Sequence, residues 1–160
     1  MEVSKKVVIA GHFGVGKSSL IKRFVHEKFS EQYLTTIGVK IDKKVVDVKG
    51  TKMNLILWDI AGEQSASKIP KNYFMGAHGL LYVFDLSREE TYRNIADDLF
   101  EITKDNPNIQ SIVLGNKSDL VDKSLIEELR KEISVSFKIT SAMSGENVET
   151  AFITLAEEML

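Results

Sequence analysis

Val7-Val8-Ile9-Ala10-Gly11-His12-Phe13-Gly14-Val15-Gly16-Lys17-Ser18 is the stretch on which the reading of this chain turns. An apolar run gives way to glycines, a lysine and a hydroxyl in the spacing G-x-x-x-x-G-K-[ST]. Ser19-Leu20-Ile21-Lys22-Arg23-Phe24-Val25 behind it is periodic like a helix. A strand, a glycine loop and a helix in that order suit a phosphate. Glycines let successive backbone N–H groups converge on oxygens, and the new helix points its positive dipole end at the same anion. Gly14, Val15, Gly16, Lys17, Ser18 and Ser19 are therefore expected to cradle phosphates. Lys17 is the mobile cation for the outer phosphates, and the Ser18 hydroxyl can complete a Mg²⁺ shell with water and phosphate oxygens. The loop alone says nucleotide, and not which one.

The rest of the chain sets the frame. Its 160 residues favour one domain, residues 1–160, with a single sizeable core. With 43% apolar and 28% charged residues the composition is that of an ordinary soluble protein. A net charge of −2 gives no electrostatic case for nucleic acid or an anionic membrane. The absence of cysteine excludes disulfides, thiolate metal sites, prenylation and palmitoylation for this chain, and fits a cytoplasmic location. No apolar run approaches the ~20 residues needed to span a bilayer. The first residues show no signal-peptide core, and Glu2 stands where myristoylation requires glycine.

Strand-like and helix-like segments alternate, which implies an α/β fold with a mostly parallel sheet covered on both faces. Residues 5–10 form the first strand, and the helix that follows fades at residues 26–29. Residues 30–36 read as a loop. Residues 39–42 alternate as an edge strand, and residues 46–58, turning at Lys49-Gly50-Thr51, read as a hairpin. Residues 80–84 are apolar throughout, as a central strand buried on both faces should be. Two capping boxes are expected. Ser87-Arg88-Glu89-Glu90 opens a helix with core residues Ile95, Leu99 and Ile102. Ser124-Leu125-Ile126-Glu127 opens one with Leu125, Leu129 and Ile133. Ile112-Val113-Leu114 is a strand, Val135, Phe137 and Ile139 alternate as the last one, and the final helix buries Val148, Phe152, Leu155 and Met159.

In open parallel sheets ligands bind past the carboxyl ends of strands, and every polar cluster here lies there. Asp59-Ile60-Ala61-Gly62 offers an Asp for a Mg²⁺-bound water and a Gly N–H for the terminal phosphate. Asn116-Lys117-Ser118-Asp119 offers a carboxylate, Asp119, that can accept from both N–H groups of guanine's Watson–Crick edge. Adenine cannot offer that pair. Thr140-Ser141-Ala142-Met143-Ser144-Gly145 brings backbone N–H groups that could read the guanine carbonyl.

Together with Thr36-Ile37-Gly38, these motifs occur in the order and spacing of the small GTPases of the Ras superfamily. The chain resembles the Rab and Ras branches most, through Tyr33-x-x-Thr36-Ile37-Gly38-Val39, Gly76-Ala77-His78-Gly79 and Gly145-Glu146-Asn147-Val148. The resemblance covers nearly the whole chain. It implies the P-loop NTPase fold: a six-stranded, mostly parallel sheet with one antiparallel edge strand and helices on both faces. It also implies a monomeric GTP/GDP switch that works with Mg²⁺ and hydrolyses GTP. Effectors, exchange factors and activating proteins would bind through residues 30–40 and 60–75. Thr36 would join Ser18 and Asp59 around Mg²⁺ and touch the terminal phosphate. Tyr33 would close over the phosphates, Phe29 would pack on the guanine, and Lys117 would lie along the base, with Ser141 and Ala142 beside it. Phe29 and Tyr33 also have plainer readings, as a helix-end core residue and a loop aromatic.

Three departures stand out. Glu63 follows Gly62 where the family usually has Gln, whose amide orients the attacking water; Gln64 is next door, so the order looks swapped. An ionised carboxylate can only accept, and the γ-phosphate repels it. Phe13 occupies a position normally held by a small residue, where an activator's arginine approaches. Met143 stands where Lys is common beside the base. Lys17, Thr36, Gly62, Glu63 and Gln64 are thus the expected catalytic set, with slow hydrolysis. The alternative is a nucleotide-stabilised interaction module that cycles little or not at all. A P-loop kinase or other ATPase is disfavoured by Asn116-Lys117-x-Asp119. His12, His26 and His78 read as structural, and the lysines at residues 40–44 and Lys5-Lys6 as solvated faces.

Overall fold

The computed structural model describes residues 1–26, 39–60 and 68–160. Six strands form one sheet: β1 (Glu2–Gly11), β2 (Val39–Val48), β3 (Thr51–Ile60), β4 (Gly79–Asp85), β5 (Gln110–Asn116) and β6 (Lys138–Ile139). Their order is β2-β3-β1-β4-β5-β6, and every neighbouring pair is parallel except β2–β3. The helices are α1 (Lys17–His26), α2 (Ile95–Thr103), α3 (Lys123–Glu132) and α4 (Val148–Glu158).

Period-two alternation divides the apolar side chains between the two sheet faces. Val7 and Ile9 of β1 with Leu81 and Val83 of β4 face α1 and α4, where Leu20, Ile21, Phe152 and Leu155 complete one core. Val8 and Ala10 with Leu80, Tyr82 and Phe84 face α2 and α3, through Ile95, Ile102, Ile126 and Leu129. Phe24 and Phe152 stack at 4.1 Å, fastening α1 to α4. β4 is buried along its whole length, as its uninterrupted apolar run requires. The hairpin turns at Lys49-Gly50, both with positive φ, the geometry that follows the strands' right-handed twist.

Several local expectations are corrected. The Ser87 hydroxyl is taken by Asp85 Oδ1 at 2.6 Å, so it caps nothing; a 3₁₀ turn at Glu89–Thr91 follows and α2 starts only at Ile95. Asp122, not Ser124, caps α3: its carboxylate accepts from Leu125 N at 2.9 Å and from the Ser124 hydroxyl at 2.8 Å. That α3 face buries Ile126 and Leu129, while Leu125 and Ile133 are only half-buried. The last strand is two residues long because β5 pairs only through Leu114↔Lys138 and Gly115↔Ile139; Phe137 instead packs edge-on against Phe84 at 5.2 Å. Two lysines expected in solvent lie on aromatic rings. Lys6 Nζ is 3.8 Å above Trp58 and donates to Met75 O at 2.9 Å, and Lys44 Nζ sits 4.3 Å over Phe24.

Candidate functional site

The parallel strands deliver the named polar residues to one edge of the sheet. Gly11 ends β1 because any side chain there would collide with β4: a Cβ would lie 2.1 Å from Val83 O. Gly16 is similarly enforced, by φ +103° and by Asn116 Nδ2, 2.4 Å from where a Cβ would be. Lys17 is 6% exposed and folds back over its own loop, donating to the carbonyls of Gly11 and His12, each at 3.1 Å. Two adjacent loop carbonyls thus hold one ammonium at the start of α1. Burial, helped by the Arg88 and Lys17 charges, lowers the His12 pKa below its ordinary value despite Asp98 and Glu90 nearby. The loop's positive charge therefore resides on Lys17. Phe13 is 48% exposed, and its carbonyl accepts from Arg88 Nη1 at 3.1 Å.

At the end of β5 the second motif locks onto this loop. Asn116 Nδ2 donates to Val15 O at 2.9 Å, and Lys117 Nζ to Gly14 O at 2.8 Å. Asn116 Oδ1 accepts from Thr140 Oγ1 at 3.1 Å and Ala142 N at 3.3 Å, which ties in the segment after β6. Asp119 is exposed, with Oδ1 held by the Ser141 hydroxyl at 2.7 Å. Lys117 is left-handed (φ 66°), a conformation costing a non-glycine residue on the order of 1 kcal/mol. Met143 is exposed, and its carbonyl and that of Ala142 are held by the Arg23 guanidinium of α1, the latter at 2.8 Å.

At the end of β3 the Ser18 hydroxyl donates to Asp59 Oδ2. Asp59 is 1% exposed, and its Oδ1 is buried with no hydrogen-bond partner among the described residues. Burial raises its pKa above the ordinary value, against the Ser18 hydrogen bond and the Lys17 charge. An orphaned buried carboxylate oxygen beside a hydroxyl fits a hard divalent cation, which takes oxygen ligands. Among the described residues no group of three or more His, Asp or Glu could hold a metal alone. Such a cation would therefore complete its shell with water and phosphate oxygens, as Mg²⁺ does beside nucleotides.

Of the expected site residues, Gly14, Val15, Gly16, Lys17, Ser18, Ser19, Asp59, Asn116, Lys117, Asp119, Ser141, Ala142 and Met143 lie among the described residues. Phe29, Tyr33, Thr36, Gly62, Glu63 and Gln64 lie outside the described residues. Residues that motif reading missed include Arg23, Arg88 and Asp85. For Asp85 a signal existed: it is a charge closing a strand otherwise apolar from Leu80 to Phe84.

Comparison with known families agrees with this geometry. A model described as Ras, Ras family, matches residues 6–160, from within β1 to the last residue. The match takes in the glycine loop, the Ser18–Asp59 pair and the Asn116–Asp119 segment together. No helix among the described residues is long and apolar enough to cross a membrane. A sheet with a single antiparallel edge, a phosphate loop closed by its own lysine and a guanine-type motif strapped across it find their common explanation in that match: the chain belongs to the Ras family of small GTPases.

Proposed function

We propose that residues 1–160 are one domain acting as a monomeric guanine-nucleotide switch that hydrolyses GTP slowly. Ras-family proteins bind guanine nucleotides, generally with Mg²⁺, and act as GTPase switches. The observation carrying the finer reading is the strap between distant motifs: Asn116 and Lys117 reach back 101 and 103 residues to the carbonyls of Val15 and Gly14. Base recognition and phosphate binding are thereby one rigid unit. Asp119, flanked by Ser141, Ala142 and Met143, faces the base. Lys17 and the loop N–H groups of Gly14, Val15, Gly16, Ser18 and Ser19 hold the phosphates. Ser18 and Asp59, with Thr36, would hold Mg²⁺, which when bound neutralises charge on the transferring phosphoryl group. By resemblance to the family, Phe29 and Tyr33 would pack on the base and over the phosphates, and the Gly62 N–H would meet the γ-phosphate.

The slow step follows from Glu63. An amide at that position both accepts from the attacking water and donates toward phosphate; an ionised carboxylate can only accept. Residues 30–40 and 60–75 are the surfaces for effector, exchange and activating proteins, in a cytoplasmic setting, with no role for nucleic acid. Single-turnover hydrolysis of GTP loaded with Mg²⁺ tests this. The parent is expected at or below ~5 × 10⁻⁴ s⁻¹, the rate of an unassisted small GTPase, with Glu63→Gln faster. A parent more than about tenfold faster than that sinks the slow-switch reading and points to Gln64. An inert parent that Glu63→Gln does not speed, and whose effector binding is the same with GDP as with a GTP analogue, makes the chain a non-cycling interaction module.

A further inference from the structure

We propose that Asp85, a residue outside every nucleotide motif, is the positioning residue for Lys117, holding its ammonium against the phosphate loop and so slowing nucleotide release. The inference rests on the guanine-nucleotide reading above. Asp85 is the last residue of β4, in register with Asn116 of β5. It is 0% exposed. Its Oδ1 accepts from Ser87 N at 2.9 Å and the Ser87 hydroxyl at 2.6 Å, two bonds that fix the carboxylate's rotamer. The remaining oxygen, Oδ2, faces Lys117 Nζ at 3.0 Å as an ion contact without an aligned hydrogen bond. Lys117 Nζ spends its directed bond on Gly14 O at 2.8 Å.

A buried carboxylate needs a charged partner, and Lys117 is the one cation in ion-pair contact with it among the described residues. A lysine stem is otherwise free to rotate. With a carboxylate behind the ammonium and a carbonyl ahead of it, the stem is held between the end of β5 and the phosphate loop, where a base would lie against it. Asp85 acts on the nucleotide only through Lys117. The same turn sends a second cation, Arg88, to the neighbouring carbonyl of Phe13, but Arg88 is shared with Glu90 at 3.0 Å and is partly in solvent, so its hold is weaker.

Asp85→Asn keeps the volume and the Oδ1 acceptor for Ser87 and removes only the charge facing Lys117. Release of a fluorescent N-methylanthraniloyl-GDP in Mg²⁺ is measured for the parent, Asp85→Asn, Lys117→Met and the double variant, beside their thermal melting. Asp85→Asn is expected to speed release about tenfold, the equivalent of one charge-assisted contact, and the double variant to release no faster than Lys117→Met. Unchanged release in Asp85→Asn, or effects of the two changes that multiply, overturns the proposal and leaves Asp85 a role in the turn after β4 alone. If Asp85→Asn melts below the assay temperature, Ser87→Ala takes its place, since it loosens the carboxylate without removing its charge. Faster release then supports the proposal, and parental release refutes it. A parent that retains no GDP analogue rejects the guanine reading itself, and the inference with it; the silence then lies in the parent rather than in the variants.

Discussion

Asn116 and Asp59 both stand at the carboxyl end of a sheet strand, both are 1% exposed, and they are satisfied to opposite degrees. The Asn116 amide is used on both sides, donating to Val15 and accepting from Thr140 and Ala142. Asp59 has one bond, from Ser18, and one oxygen with none among the described residues. The base end of the site is thus assembled by the protein's own contacts, so a nucleotide adds to a finished frame. The cation end holds a buried carboxylate that the Ser18 hydrogen bond and the Lys17 charge offset only in part, since burial still raises its pKa. On the guanine-nucleotide reading proposed above, specificity for the base would be stored in structure, whereas response to Mg²⁺ would be stored in an electrostatic deficit.

If that contrast is right, cutting the finished end should do the most harm. Asn116→Ala leaves three buried partners unpaired and is expected to lower both thermal stability and GDP affinity, the latter by two orders of magnitude or more, about 3 kcal/mol. Titration calorimetry and a melting curve check this; near-parental GDP binding would mean that the strap is dispensable. Asp59→Asn should act in the reverse sense on stability. It is expected to raise the melting temperature of nucleotide-free protein, because a buried charge is gone, while weakening the effect of Mg²⁺ on GDP release about tenfold or more. A lower melting temperature in the absence of nucleotide would show that Asp59 is already compensated.

The smallest effect concerns a group remote from both ends. His78 Nδ1 accepts from Lys6 N at 3.0 Å, and burial and the Lys5 charge lower its pKa. A histidine with a lowered folded pKa contributes stability above its unfolded value of about 6.5, lost as pH falls through that value toward the folded one. Melting temperature should drop from pH 7.5 to 5.5, and less so in His78→Gln, by an amount within the ~0.5 kcal/mol typical of surface changes. Equal slopes would remove His78 as a contributor.

Sequence made the phosphate loop and Asn116-Lys117-x-Asp119 legible because their chemistry is local: spacing alone fixes which N–H groups and side chains converge. The sheet was legible for the same reason, since period-two alternation in β1 and unbroken apolarity in β4 follow directly from burial. Contacts that the fold brings together from afar were not. Arg23 reaches the carbonyl of Ala142 across 119 residues, and no pattern at either position announces it. Lys6 and Lys44 looked like solvent-facing charges because nothing local places Trp58 or Phe24 under them. The capping boxes failed through competition: Ser87 had a buried carboxylate as a better acceptor partner, and Asp122 outcompeted Ser124 with a charged oxygen at the right offset.

The hairpin has a mechanical consequence. Val39, where β2 begins, and Ile60, where β3 ends, are register partners on one rung of an antiparallel ladder. Val39 and Ile60 therefore end the sheet side by side, about 5 Å apart. The rung works as a gear tooth: a pull transmitted along the chain into Val39 is delivered across the rung to Ile60, and through the next rung from Lys40 to Asp59. The start of β2 and the end of β3 are thereby harnessed to a common axle, without a relay through the core.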